Sequence, residues 1–311
     1  MRTLVAALMV CAAGIAAPWL APYDPDEIVD VLGTHDLPPG SVVSVYTRDD
    51  GSRLAATAAE PASGSLVVTR GGRREEIPLE RLATREGETR RFLLGTDSLG
   101  RDLLSRLLHA SRLSIGVGTL AVLLGLAIGV TAGGAGGYLG GIADAALMRL
   151  VDALHAVPRL FLFLLCAALF DPSALLVAIV LGATGWPGIA RITRAHVLSL
   201  RESGFTASAR AVGAGRGRIL VRHILPHCAA PVAIATVLLA ADTILAESSL
   251  SFIGLGVQPP AASLGCLIAS ARAGVAATWW AVVFPGVVLV ALVLLLHAAA
   301  RPKTLKTNDL P

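Results

Sequence analysis

Asp152, Asp242 and Glu247 stand within or beside apolar stretches of this 311-residue chain. An acid in such surroundings binds a cation, relays a proton or pairs with a nearby base. Arg149 lies three residues before Asp152, a helical spacing at which the two neutralise each other. Asp242 and Glu247 suit either a pathway that meets an ammonium group or bonds to neighbouring helix ends. A second group, Asp97, Arg101 and Asp102, precedes another apolar run. It reads as an outer gate network, or as a helix start with Asp97 or Ser98 as cap ahead of Leu103. The third group is basic: residues 182–226 hold seven Arg and one acid, Glu202, a net of +6. Such a patch between apolar segments marks a cytoplasmic loop. It is too short, and too closely flanked by apolar segments, for nucleic-acid binding.

Catalytic motifs are absent. The sequence contains no GxxxxGK[ST], no HExxH and no GxSxG. Gly213-Ala214-Gly215-Arg216-Gly217 departs from a dinucleotide loop, because Arg218 replaces the third glycine and no strand precedes it. His223 and His227 are four residues apart but lack a third ligand. Cys11, Cys166, Cys228 and Cys266 form no CxxC pair and read as small buried hydrophobes. No enzyme activity, catalytic residue, metal site or cofactor is expected in the chain.

The elements that position these residues are apolar spans. Hydrophobic residues make up 54% of the chain and charged residues 15%, with mean hydropathy +0.70. Soluble domains hold about 25% charged residues, so an integral membrane protein is indicated. Runs near the ~20 residues needed to cross a bilayer occur at Thr3–Leu20, Leu113–Thr131, Leu147–Phe170, Ser173–Ile189, Ile224–Leu245 and Trp279–Ala299. The first is read as a retained span; a cleaved signal peptide ending near Ala16-Ala17-Pro18 is the alternative. The third is read as one helix with Pro158 inside. The glycine cluster 133–137 permits close helix approach or a turn. Six spans put both termini on the side of the basic loop, the cytoplasm.

Residues 24–97 carry nine Arg and fourteen Asp/Glu, net −5. Within them, β-branched runs are joined by Asp50-Gly51 and by Gly71-Gly72, which read as two hairpins of a small outer β-rich insert. It serves as a packing cap or docks a soluble partner. The organisation expected is a first transmembrane helix (1–21), a periplasmic segment with the insert (22–95), a core (96–300) with a cytoplasmic loop at 190–223, and a tail (301–311).

Within 201–226, Phe205, Ala209 and Val212 share one helical face, Arg210 lies off it, and Gly213, Gly215 and Gly217 break the helix. A second helix starts near Arg218, with Pro226 in its early turns. This stretch resembles the cytoplasmic loop of binding-protein-dependent ABC transporter permeases, EAA-x3-G-x9-I-x-L-P. Ala207-Ser208-Ala209 stand at EAA, Gly213 at the glycine and Leu225-Pro226 at the end; Ala207 replaces the Glu and His223 the Ile. Leu94–Asp102 resembles the GTDxxGRD segment of the dipeptide, oligopeptide and nickel branch, in its second, C-type permease. Glu247–Gly256 with Pro259-Pro260, and Trp279-Trp280 with Phe284-Pro285-Gly286, are similar to later segments. Departures are Leu264 where Trp is expected, the tail from His297, and a longer insert near 35–91.

The resemblance implies an all-α membrane protein of about six helices, the type I importer permease fold, with the β-rich periplasmic insert. It implies half of a heterodimeric pore in the bacterial inner membrane, passing di- or oligopeptides. The partners implied are a second permease subunit, two ATPases that bind ATP and magnesium, a periplasmic substrate-binding protein and membrane lipid. Phe205, Ala207, Ser208, Ala209, Arg210, Gly213, Leu225 and Pro226 would carry ATPase coupling. Asp97, Arg101, Asp102, Asp152, Asp242 and Glu247 are the pathway or gate candidates. Import of nickel or another small solute, or a proton-coupled carrier using Asp152, Asp242 and Glu247, are the alternatives.

Overall fold

The computed structural model describes residues 12, 14, 16–62, 64–84 and 87–300. The tail 301–311, and all of the Thr3–Leu20 run except residues 12, 14 and 16–20, lie outside them. The long helices, in chain order, are α1 (Leu103–Leu139), α2 (Gly141–Ala156), α3 (Arg159–Leu169), α4 (Ala174–Arg201), α5 (Gly204–Ala211), α6 (Arg216–Ile253), α7 (Leu264–Ala271) and α8 (Trp279–Ala300). Among the described residues α1, α4, α6 and α8 are long and apolar enough to cross a membrane, and the bent pair α2–α3 makes a fifth candidate. The chain divides into two compact units. One contains 114–250 with 291–300, the other 16–113 with 251–290.

In the first unit, α1 and α4 approach closely along a glycine seam. A Cβ on Gly133 would sit 2.2 Å from the Ala190 carbonyl oxygen, and one on Gly137 would sit 2.9 Å from that of Arg194. The cluster 133–137 is therefore a packing surface inside α1 and not a turn. At 1.5 Å per residue, the 37-residue α1 is about 55 Å long, well beyond ~30 Å of hydrocarbon. Likewise α4 continues past Ile189 to Arg201, so residues 190–201 are helix.

The third span is not one helix. α2 and α3 meet at 81°. Pro158 has no N–H to continue the ladder and disfavours helical geometry in the residue before it. Val157 accordingly sits at φ −85, ψ 120, and Pro158 becomes the N-cap of α3. A bidentate pair ties α2 to α4: Arg194 Nε and Nη2 donate to the Asp144 carboxylate at 2.5 and 2.6 Å.

In the second unit lie two three-stranded antiparallel sheets. The first has order β2-β1-β6, with β1 at Ser41–Thr47, β2 at Arg53–Ala56 and β6 at Glu88–Phe92. The second has order β3-β4-β5, at Ala58–Ala62, Ser65–Arg70 and Arg73–Pro78. Both expected hairpins form, with Thr47 opposite Arg53 and Arg70 opposite Arg73. Strand alternation sends Val43 and Val45 to a core with Phe92, and Tyr46 to a core with Leu54, Val68 and Ile77. Asp30 staples the unit. Its carboxylate accepts from Ala55 N at 2.9 Å and from Arg70 Nε and Nη2 at 3.0 and 2.8 Å.

Candidate coupling site

The site is α5 with its two connections. Ser203 and Thr206 both donate their hydroxyls to the Leu200 carbonyl, at 2.6 and 2.9 Å. Thr206 is fully buried. These bonds satisfy an orphan carbonyl at the end of α4 and hold α5 against it. The far end of α5 closes as a Schellman motif. Ala214 N donates to Ala209 O (3.1 Å) and Gly213 N to Arg210 O (3.0 Å). Gly213 takes the left-handed conformation this requires, φ +85. Gly215 and Gly217 do not break anything: Gly215 is the N-cap of α6 at φ −68, and Gly217 lies within its first turn, so α6 begins at Arg216.

The apolar stripe is arranged differently from the helical-wheel reading. Ala209 packs inward with Ala214 onto a core of Ile219, Ile224 and Cys228. Phe205 is half-exposed and stacks on the His227 ring, centroids 5.0 Å apart. Val212 caps the helix and is 88% exposed. The anchor is Thr206, a residue periodicity overlooks because it is polar. Ala207, Ser208, Arg210 and Val212 form the outward face. Leu225 packs partly on the same core, and Pro226 is exposed. Pro226 lacks an N–H, and α6 accommodates it with a π turn over Ile219–Ile224 followed by a 3-10 turn over Leu225–Cys228.

The acidic candidates separate into distinct environments. Asp97 accepts from Leu99 N (3.0 Å), Arg101 N (2.9 Å) and Arg101 Nε (2.8 Å). Asp102, not Asp97 or Ser98, caps α1: its carboxylate accepts from Ser105 N and Oγ at 2.7 and 2.6 Å. Burial raises the Asp102 carboxyl above its ordinary value, against the pull of those Ser105 bonds. Asp97, Arg101 and Asp102 thus build the entry to α1. The neighbouring Thr96 carbonyl accepts from the Trp280 indole at 3.3 Å.

Asp152 does not pair with Arg149. It bonds Arg191 Nη2 at 2.6 Å, across from α2 to α4. Glu247 is fully buried and accepts from Ser114 Oγ at 2.8 Å, joining α6 to α1. Asp242 is exposed on α6, with no hydrogen-bond or ion-pair partner among the described residues. The fourteen candidates therefore do not converge on one site. Asp144, Arg194 and Ser114 are additional residues whose partners are distant in sequence, and Thr206 is a further one with its partner six residues away. Among the described residues no group of three or more His, Cys, Asp or Glu is placed to hold a metal ion.

Residues 125–306 match the family described as binding-protein-dependent transport system inner membrane component. The chain belongs to that family. It is 35% identical over 209 residues to the dipeptide transport system permease protein DppC of Haemophilus influenzae, covering 67% of this chain and 71% of that protein. To the di/tripeptide transport system permease protein DppC of Pseudomonas aeruginosa it is 33% identical over 291 residues, 93% and 81% of the two chains. The oligopeptide transport system permease protein OppC of Haemophilus influenzae is 38% identical over 191 residues, 61% of each chain. The fold resembles a chain of the inward-facing MetNI methionine ABC transporter, with TM-score 0.52 and 18% identity over 63% of this chain and 93% of that one. The permease is thus an inner-membrane transport component with the ABC importer permease fold, and α5 with Gly213 lies inside its family-matched region.

Proposed function

We propose that this chain is the permease subunit of an ATP-driven peptide importer, forming half of the pathway with a second permease subunit. The observation that carries this reading is α5. It is a short helix braced at both ends by Leu200 and Gly213, with a slim outward face of Ala207, Ser208 and Arg210. Such a helix fits a groove on a partner. The partner is a cytoplasmic ATPase, one for each permease subunit, and ATP and magnesium bind there and not on this chain. A periplasmic binding protein delivers the substrate. Both termini are placed in the cytoplasm in this reading, which the basic 190–223 region supports for a chain of six spans. Peptide is the cargo because the dipeptide, di/tripeptide and oligopeptide permeases are its relatives.

The mechanism follows from rigidity. Bonds from Ser203 and Thr206 make α5 continuous with α4, and the Schellman closure makes it continuous with α6. Movement of a docked ATPase therefore displaces two long helices together. Asp242, exposed on an apolar helix and unpaired among the described residues, is the acid assigned to the pathway, where it would meet a peptide ammonium. The test is uptake of a labelled dipeptide by cells lacking the chromosomal copy and complemented with this one. The expected result is ATP-dependent uptake, competed by unlabelled dipeptide and not by nickel. Uptake that persists without ATPase subunits, driven by a proton gradient, would overturn the proposal.

A further inference from the structure

A cavity of about 360 Å3 lies beside α5, lined by Tyr138 and Leu139 at the end of α1, Arg201 at the end of α4, Arg210 on α5, and Arg216 at the start of α6. Three guanidinium groups thus converge from three helices. Among the described residues, the Arg210 and Arg216 side chains have no hydrogen-bond or ion-pair partner. Arg201 reaches only the Gly137 carbonyl at 3.5 Å and the exposed carboxylate of Glu202 at 3.3 Å. The nearby Asp144 carboxylate is already engaged by both arms of Arg194. Three cations around one concavity repel each other, and an anion seated among them relieves that repulsion.

The surroundings identify that anion. Leu139 is the last residue of α1, a helix apolar enough to cross a bilayer, and is 61% exposed; Ile142, three residues on, is 90% exposed. Tyr138 beside them is the residue type found where bilayer meets water. A site with a cationic floor, a phenol and apolar residues at its rim matches a phospholipid: phosphate on the guanidinium groups, acyl chains along Leu139 and Ile142. We infer that this cavity binds the phosphate headgroup of an anionic phospholipid, which braces α5 against α1. The inference requires this end to be cytoplasmic but does not depend on the transported solute.

The test uses the assembled transporter, purified in mild detergent with its ATPases and checked for ATP hydrolysis, so failed assembly is recognised separately. The complex is exposed to equal phosphatidylglycerol and phosphatidylcholine, and retained lipid is read by native mass spectrometry. The expected result is about tenfold preference for phosphatidylglycerol, falling below twofold in Arg201→Gln/Arg216→Gln and kept in Arg201→Lys/Arg216→Lys. Equal retention of the two lipids, or a preference that the glutamine variant keeps, would overturn the inference. So would displacement of the lipid by millimolar inorganic phosphate, which makes the ligand a free anion. Retention by the permease pair alone, lost once ATPases join, would assign the cations to the ATPase interface and equally defeat it.

Discussion

Asp242 and Asp102 show what a single carboxylate does in each of two settings. A charged residue near a helix centre costs about 2.5–3.5 kcal/mol on insertion scales. Asp152 offsets that cost with Arg191 and Glu247 with Ser114, whereas Asp242 has no such partner among the described residues. Asp242→Leu should therefore insert at least as well as the native chain yet lower peptide uptake about tenfold, with Asp242→Glu retaining most of it. Asp152→Asn should leave uptake within about twofold. Equal uptake by Asp242→Leu and the native chain would remove Asp242 from the pathway. Asp102 makes a prediction about pH. Its folded carboxyl titrates above the ordinary value of 3.8 because it is buried. The folded state then holds the proton more tightly than the unfolded chain, so Asp102's contribution is full below 3.8 and is lost as pH rises through the folded value. Melting curves from pH 4 upward should show the native protein losing ground against Asp102→Asn, and parallel curves would contradict this. None of these partners is visible from spacing. The helical-wheel pair Arg149–Asp152 is a local guess, and Arg191 wins because α4 packs beside α2.

At the level of elements, Gly213 separates conformational need from mere small size. It has open space around its Cα and φ +85, so a side chain there meets no atom but is held in the left-handed region. Gly213→Ala should cost about 1–2 kcal/mol of local stability and loosen the closure of α5. Measured uptake should fall while membrane abundance stays normal. Gly215→Ala, at φ −68 and also in open space, should be neutral. Equal behaviour of the two would refute a role for the Gly213 closure in coupling α5 to α6. The α1–α4 seam works oppositely, since Gly133 has ordinary helical geometry but no room. Local signals suffice for the hairpins, where Asp50-Gly51 and Gly71-Gly72 dictate the turns, and for α8, whose start at Trp279 the apolar run marks. They do not suffice for β3 and β6. Ala58–Ala62 contains Glu60 and Pro61, and Glu88–Phe92 contains Arg90 and Arg91. These strands exist because β4 and β1 offer them open edges. The bend at Pro158 is written in the sequence as a proline after a valine, but hydropathy across Leu147–Phe170 conceals it.

For the whole molecule, two appendages lie on stretches of chain separated by α1, the α2–α3 pair and α4. The insert is also built as a separable module. Ser41 pairs with Phe92, so its chain ends are neighbours, and the Gly40 N–H already bonds the Phe92 carbonyl at 2.9 Å. The junction that follows is fastened by residues outside the strands. The Thr96 hydroxyl accepts from Leu37 N at 2.8 Å, and Asp97 binds Arg101. Excising 41–91 and joining Gly40 to Phe92 should therefore leave α1 intact and the chain membrane-inserted. Pairs such as Asp30–Arg70 leave with the insert, so local order near residue 30 should fall. Co-purification with an ATPase carrying a P-loop should be unchanged, because α5 and its braces are untouched. Replacing 204–213 by a glycine–serine linker should do the reverse, keeping insertion and abolishing ATPase recovery. Loss of the ATPase on excision of the insert, or its retention on replacement of α5, would contradict the assignment of ATPase binding to α5.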